Sequence, residues 1–194
     1  MKLLLAVTWV TAALAFNSEG AILTFENFAP SGSLVNINPQ FPYTEQGFTL
    51  TPLNANSAVF DSAAVAKFPG DNTDWFGFAP GNTITLTGPI PFSLDSVLIG
   101  PSTIGIGIVN FTITGNVVGG GVLTATFNNL TTATAEFVGF TNLNSVMFST
   151  TSDAGLDNVA ITAVPEPRSL SLFAAASALL VLSIRASRRR KPLA

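Results

Sequence analysis

The sequence predicts an all-β protein whose folded body is a two-sheet β-sandwich or jelly roll of about nine or ten antiparallel strands. Two segments, NTITLTG at 82–88 and GVLTATFNN at 121–129, alternate between apolar and polar residues, which is the pattern of a sheet with one buried side. Turn sequences such as APGN, VGGG and TSDAG separate the apolar runs. No window has the spacing of an amphipathic helix, so a sandwich is favoured, with a closed barrel as the alternative.

Ten short runs, spaced along the whole body, are candidate strands. They cover residues 21–28, 47–53, 57–60, 82–88, 92–100, 104–115, 121–129, 134–140, 145–150 and 156–162. In the run 104–115 the apolar phase slips between Ile108 and Val109, which predicts a bulge or a bend onto a second sheet.

The composition excludes several classes of function. The chain has 194 residues, of which 47% are hydrophobic and 10% charged, and it contains neither cysteine nor histidine. Disulfides, thiolate chemistry, zinc fingers and histidine-based catalytic triads are therefore ruled out. The high apolar content argues for a folded domain, and the roughly 150 residues between the two ends suffice for one core.

The charges are distributed unevenly along the chain. Six of the eight Lys and Arg residues lie in the last 27 residues, whereas the body, 16–163, contains one base, Lys67, and ten acids, for a net charge of −9. An acidic body repels phosphate backbones, so we expect no nucleic-acid partner. It is compatible with divalent cations and with neutral polymers.

Residues 1–15 have the features of an export signal. Lys2 is a short positive region, residues 3–12 are apolar, and Ala13-Leu14-Ala15 fits the small-residue cleavage pattern. The apolar run is too short to span a membrane comfortably. We therefore expect the Sec translocon and signal peptidase as partners, and a mature protein that begins near Phe16.

Residues 164–194 form a distinct tail. Pro165 and Pro167 predict a stiff extended spacer that ends the body. Residues 169–184 carry no charge and predict a short membrane helix, provided that the flanking residues contribute to its length. The basic end, which the positive-inside rule keeps in the cytoplasm, comprises Arg185, Arg188, Arg189, Arg190 and Lys191.

The order Val164-Pro165-Glu166-Pro167, hydrophobic helix and arginine-rich end resembles the PEP-CTERM sorting signal of Gram-negative bacteria. The resemblance implies that an exosortase, a membrane-embedded cysteine transpeptidase, reads Pro165, Glu166 and Pro167 and cleaves nearby. It implies transient insertion in the inner membrane, then release or attachment at the cell surface, often in strains that make exopolysaccharide. The alternative is an ordinary tail anchor that contains Pro-Glu-Pro by chance.

Glu26 and Asp157 are candidate ligands of a structural calcium ion. The sequences FENF and LDNV around them are similar to calcium-stapled carbohydrate-binding jelly rolls, whose terminal strands pair. Strand alternation places Asp157 on the same face as Val159 and Ile161, so its carboxylate points inward and needs a partner. The two possible partners are Lys67, the only base of the body, and a calcium ion. Glu26 falls on the opposite parity from Phe25, and the alternative is that these acids face solvent at strand ends.

The segment 68–82, FPGDNTDWFGFAPGN, is a candidate ligand-binding loop. Its acids Asp71 and Asp74 lie next to Trp75 and Phe76, and sugar sites combine aromatic faces with carboxylates that accept hydroxyl hydrogen bonds. The alternative is that the rings are core residues and the acids are turn residues. The outward threonines of the strands also have two interpretations. They form a flat face that binds glycan, ice or another copy of the domain, or they are ordinary solvent-side strand residues.

No group of residues predicts catalysis. Without His or Cys a hydrolase needs two carboxylates in one cleft, and the acids of the body are scattered along the sequence. We therefore predict a non-enzymatic, exported and exosortase-sorted protein of the cell surface or extracellular matrix. The alternative function is a carbohydrate-binding jelly-roll module for exopolysaccharide, stabilised by calcium if Glu26 and Asp157 bind it.

Overall fold

The computed structural model describes residues 20–64, 68, 72–102, 108–164 and 177, and its elements are eleven β-strands that pair only antiparallel in this part of the chain. The strands are β1 (Gly20–Leu23), β2 (Leu34–Ile37), β3 (Tyr43–Glu45), β4 (Phe48–Pro52), β5 (Ser57–Phe60), β6 (Trp75–Phe78), β7 (Thr83–Pro101), β8 (Val109–Val117), β9 (Val122–Leu130), β10 (Thr134–Thr150) and β11 (Ala154–Ala163). The predicted all-β, antiparallel class is confirmed for these residues.

The strands form two layers that share the long strands β7 and β10. In the first layer the order is β2-β5-β6-β11-β7-β10, using residues 92–101 of β7 and 134–143 of β10, with β1 paired to the far part of β11. In the second layer the order is β3-β4-β7-β10-β8-β9, using residues 83–87 of β7 and 145–150 of β10. The terminal strands β1 and β11 pair, as the similarity to jelly rolls implies.

Local sequence explains where the two long strands bend from one layer to the other. In β7 the change coincides with Gly88-Pro89-Ile90-Pro91, whose prolines donate no ladder hydrogen bonds. In β10 the register shifts repeatedly between Phe137 and Ser145, where Gly139 and Asn142 have positive φ angles of 63° and 55°. Bulges of this kind bend a strand and allow it to change layers.

The main core lies between the two layers. Phe78 of β6 contacts Phe111 of β8 edge-on, with ring centroids 5.7 Å apart. Phe25, just after β1, contacts Tyr43 of β3 at 5.0 Å and Phe76 of β6 at 5.7 Å. Each fully buried phenylalanine contributes about 2 kcal/mol of transfer free energy, so these rings hold the layers together.

A smaller apolar cluster lies on the other, outer face of the first layer. Its buried members are Ala58, Phe60, Ala64, Phe68 and Trp75. Because strand residues alternate in direction, β6 sends Trp75 to this outer cluster and its neighbour Phe76 to the main core. The first layer is therefore covered by apolar side chains on both faces along β5 and β6.

Several strand predictions are wrong in their boundaries. The sequence does not predict β2, β3 or β6; β2 and β3 are short, and β6 lies in the segment predicted as a loop. The runs 82–88 and 92–100 belong to the single strand β7, and 134–140 and 145–150 belong to β10, because bulges and not turns join them. The phase slip between Ile108 and Val109 coincides with the start of β8.

The predicted terminal segments lie outside the described residues. These are the export signal 1–15, the sorting motif Pro165–Pro167, the membrane helix 169–184 apart from Ser177, and the basic end 185–191. Lys67 and Asp71 also lie outside them. In the portion of the chain that is described, no helix is long and apolar enough to cross a membrane.

Candidate glycan-binding groove

A groove of about 330 Å³ crosses the outer face of the first layer. We call it the outer groove. Its volume is at the lower end of the range for small-ligand sites, roughly 300–1,000 Å³. The residues that line it and matter for its chemistry are Asn36, Asn56, Phe60, Trp75, Ser102 and Asp153.

A row of mostly small residues crosses the first layer, and its members Asn36, Ala58 and Gly77 line the groove. Cross-strand pairing places in this row Asn36, Ala58, Gly77, Gly155 and Gly100, one from each of β2, β5, β6, β11 and β7. A Cβ atom at Gly77 would lie 2.6 Å from Cζ3 of Trp75 and 2.7 Å from Cε2 of Phe60. Glycine is therefore required at Gly77 so that the two rings can lie against the backbone.

One side of the outer groove is aromatic. Phe60 stacks on Trp75 with ring centroids 4.4 Å apart and an interplanar angle of 9°, and Phe68 stacks on Trp75 at 5.5 Å. The indole of Trp75 is therefore held in place by two stacked phenylalanine rings, and it is 1% exposed. Phe60 is buried as well, so the apolar surface that this side offers to a ligand comes mainly from the exposed side chain of Leu34.

The other side of the outer groove is polar. Asn56, Ser102 and Asp153 lie immediately outside the ends of β5, β7 and β11, and the Ser102 N–H donates to the Asp153 carbonyl at 3.2 Å. The side chains of Asn56 and Asp153 make no hydrogen bond to groups of the described residues, whereas backbone atoms hold both segments in place. The amide and the carboxylate can therefore donate to and accept from a ligand.

The Ser102 hydroxyl is the one groove-lining polar atom that is buried and has no hydrogen-bond partner among the described residues. Ser102 is 3% exposed. A buried hydroxyl without a partner costs roughly 1–3 kcal/mol. Because the Ser102 oxygen has almost no accessible surface, it belongs to the wall of the groove and is not offered to a ligand.

The predicted loop residues are divided between different environments. Trp75 lines the outer groove, whereas Phe76 is fully buried in the main core. The Asp74 carboxylate is buried and holds two turns, because its Oδ1 accepts from the Ser62 N–H at 2.9 Å and its Oδ2 from the Asn27 N–H at 3.0 Å. Asp71 lies outside the described residues, and of the other three residues that the sequence singles out here, Trp75 is the one that the structure places at the groove.

The predicted calcium ligands Glu26 and Asp157 both contact the segment before β6. Glu26 Oε1 accepts from the Asp74 N–H at 3.3 Å, and Asp157 Oδ2 accepts from the Thr73 hydroxyl at 2.7 Å. The described residues contain no group of three acidic side chains close enough to hold a metal ion. Calcium binding by Glu26 and Asp157 stays a prediction.

Asp157 is buried, but not on the face that simple alternation gives it. It pairs with Leu98, which packs against the outer cluster, whereas its neighbour Leu156 is in the main core. A register shift follows Asp157, and Asn158 has a positive φ of 47°. This bulge returns Val159 to the main core, so Asp157 and Val159 face opposite sides of the sheet.

A second polar network fixes the end of β1. The Tyr43 hydroxyl donates to Glu45 Oε2 at 2.7 Å, and the same oxygen accepts from the N–H groups of Thr24 and Phe25 at 3.1 and 3.2 Å. Burial, reinforced by the hydrogen bond to the Glu45 carboxylate, raises the pKa of the Tyr43 hydroxyl above its usual value. This tyrosine is therefore a neutral structural donor and not a proton-transfer group.

The fold and the groove define a class, an antiparallel β-sandwich with a small amphipathic groove on one outer face. No protein-family model matches the chain, and no curated protein does. Similar solved structures include TmCBM61 in complex with β-1,4-galactotriose, at 8% identity and a TM-score of 0.38, covering 61% of this chain and 90% of that one. The CBM22-1 xylan-binding domain of Paenibacillus barcinonensis Xyn10C is 12% identical with a TM-score of 0.32, covering 76% of this chain and 97% of that one.

The arabinose-bound α-L-arabinofuranosidase MgGH51 is 14% identical with a TM-score of 0.41, and the match covers 73% of this chain and 26% of the enzyme. The identities are low and the TM-scores lie below 0.5. Any function proposed for this chain must therefore be inferred from the chain's own residues and not from these structures.

Proposed function

We propose that the chain is a non-catalytic binding module that holds a neutral glycan in the outer groove. The observation that supports this function most directly is the amphipathic construction of the groove, with the apolar side chains of Leu34, Phe60 and Trp75 on one side and the polar side chains of Asn56 and Asp153 on the other. A sugar has the matching construction, since its C–H groups are apolar and its rim carries hydroxyl groups that donate and accept.

The charge of the groove favours a neutral ligand. Among the described residues, Asp153 is the single ionisable side chain that lines it, and the body as a whole is acidic. A uronic-acid or sulfated polymer would meet repulsion from both. A neutral hexose or pentose polymer would instead donate hydroxyl hydrogen bonds to the Asp153 carboxylate.

The same count of carboxylates supports binding without hydrolysis. Glycoside hydrolysis requires two carboxyl groups about 5–9.5 Å apart on either side of the scissile bond. In the part of the chain that the structure describes, one carboxylate lines the outer groove. A sugar bound there has a hydrogen-bond acceptor but no acid and nucleophile pair.

Export and sorting complete the proposal. The leader 1–15 and the tail with Pro165, Glu166 and Pro167 support a route through the inner membrane to an exosortase, with delivery to the cell surface or extracellular matrix. Intact-mass analysis of the protein from its host tests this route. A species from near Phe16 to near Pro167 is expected, and a species that keeps the basic end with or without the exosortase would overturn the sorting proposal.

Native-gel retardation of the full chain in soluble neutral polysaccharides tests the groove, with a glucan and a xylan as probes and a polyuronate as the acidic comparison. Asn56→Ala and Asp153→Asn should each weaken retardation about fivefold or more, because each removes a hydrogen bond of about 1 kcal/mol. Asn144→Ala and Glu136→Gln are matched changes on β10, outside the groove, and should bind as the unaltered chain does.

Three results would overturn the groove proposal. They are no retardation by any neutral polymer, stronger retardation by the polyuronate, and equal loss of retardation in the control variants. Thermal melts of all four variants establish that each is folded before its retardation is compared.

A further inference from the structure

β9 is a long strand with one free edge. It runs from Val122 to Leu130 and, within the described residues, pairs with β8 alone. Its sequence, VLTATFNNL, contains no charge and no proline. A row of unpaired backbone N–H and C=O groups on such an edge is a template for another strand.

The other strands with a free edge carry the devices that proteins use to prevent pairing. β1 and β2 have four residues each, and β3 has three and ends on Glu45. The first part of β10, which has β7 on one side, contains Glu136 and the irregular segment around Gly139. Short length, inward or edge charges and bulges all discourage strand addition, and β9 has none of them before Asn129.

The charge around β9 indicates what can pair with it. Glu45 is the single charged residue in the strands of the second layer, and it lies on β3 at the opposite edge from β9. Five strand spacings of about 4.8 Å separate the two edges, roughly 24 Å, which is more than twice the Debye length of about 8 Å at physiological salt. The charged side chain of the second layer therefore contributes little repulsion between two copies that approach each other at this edge.

We propose that β9 pairs antiparallel with β9 of a second copy of this chain, so that the second layers of two molecules form one continuous sheet. A contact between two identical edges is closed by a two-fold axis and needs no second surface. The side chains beside it are self-compatible, since the exposed residues of β9 are apolar, hydroxyl or amide groups such as Val122, Thr124, Thr126 and Asn128. A basic or acidic peptide would find no complementary charge there.

The size of the contact predicts a weak dimer. Seven residues, 122–128, span about 24 Å, and a single added strand buries less than the roughly 1,600 Å² of a standard stable interface. We expect concentration-dependent dimers. Two copies joined at β9 would bring two outer grooves to one polymer, which raises avidity without any new contact to the glycan.

Cysteine cross-linking of the full chain in non-ionic detergent tests the pairing, because the chain has no cysteine of its own. Single variants Val122→Cys, Thr124→Cys, Thr126→Cys and Asn128→Cys place one thiol along the edge, and Thr87→Cys places an exposed thiol in the interior strand β7 of the same layer. Mild oxidation should give a disulfide dimer that peaks at one or two adjacent positions of β9 and declines toward the ends, since only residues near the two-fold axis come within disulfide distance.

A charge variant provides the second arm. Thr126→Lys places a positive charge on the free edge and should abolish the concentration-dependent dimer in sedimentation velocity, whereas Thr87→Lys makes the same change away from the edge and should not. Equal cross-linking at Thr87 and along β9, a flat cross-linking profile, or a monomer at every concentration would overturn the proposal. Dimers that persist in Thr126→Lys would also overturn it, because association would then use another surface.

Discussion

Replacing Asp74 with asparagine distinguishes a carboxylate that holds the fold from one that holds a ligand. Asp74 is buried, and its two oxygens accept hydrogen bonds from the N–H groups of Ser62 and Asn27 at 2.9 and 3.0 Å. Asparagine has one acceptor oxygen. In Asp74→Asn one of the two N–H groups loses its acceptor and faces an NH₂ group instead.

The expected cost follows from the two bonds. A hydrogen bond to a charged group contributes roughly 1.5–3 kcal/mol, and a buried donor left unpaired adds to the loss. We expect Asp74→Asn to lower the free energy of unfolding by about 3 kcal/mol. For a domain of this size that corresponds to a decrease of about 9 °C in Tm.

The assay compares Tm and glycan retardation for Asp74→Asn and Asp153→Asn. Both variants exchange one carboxylate oxygen for NH₂, but the Asp153 carboxylate makes no hydrogen bond to the described protein groups. Asp153→Asn should change Tm by less than about 2 °C and weaken retardation, whereas Asp74→Asn should do the reverse. A normal Tm together with lost retardation in Asp74→Asn would refute this reasoning and make the loop, not the groove, the ligand site.

Three further predictions concern other parts of the body. Because burial raises the pKa of Tyr43 in the folded chain, the free energy of unfolding should fall by about 1.4 kcal/mol per pH unit above roughly pH 10, relative to Tyr43→Phe. Denaturant unfolding at several pH values measures this, and parallel curves of unfolding free energy against pH for the two proteins would contradict it. Gly77→Ala should cost about 1–3 kcal/mol and change the fluorescence of Trp75, whereas Gly20→Ala, whose added Cβ meets nothing closer than 3.7 Å, should not disturb the indole. If calcium binds at Asp157, a chelator should lower Tm by several degrees in the unaltered chain but not in Asp157→Asn, and identical melts with and without chelator would exclude the ion.

Alternation predicts the second layer well because that layer has one buried face. In β7 and β8 the buried residues Ile84, Leu86, Phe111 and Ile113 alternate with threonines, and the period of two is visible in the sequence. It fails at β6, where Trp75-Phe76-Gly77-Phe78 is buried on both faces and shows no alternation. A strand covered on both sides reads as a continuous apolar run.

The bulges in β10 and β11 could not be predicted from periodicity, for a different reason. A bulge depends on a single residue that adopts an unusual backbone angle, as Asn158 does, and asparagine occurs often enough elsewhere in the chain to carry little information. One such residue moved Asp157 to the face opposite Val159. Bulges also joined two predicted strands, 134–140 and 145–150, into β10, because the chain bends there without leaving the ladder.

The polar side of the outer groove could not be predicted because its residues are far apart in sequence. Asn56, Ser102 and Asp153 line one groove only because β5 and β11 begin, and β7 ends, at the same side of the first layer. The one local sign was glycine inside apolar strands, at Gly77 and Gly155, where a missing side chain leaves room for something to lie against the backbone. In this chain the object against the backbone is Trp75, because a Cβ atom at either glycine would lie 2.6 Å from the indole. A cross-strand row of glycines beside a buried tryptophan is thus a feature that both stabilises the outer cluster and shapes the proposed binding site, so a variant that fills the row should disturb stability and binding together.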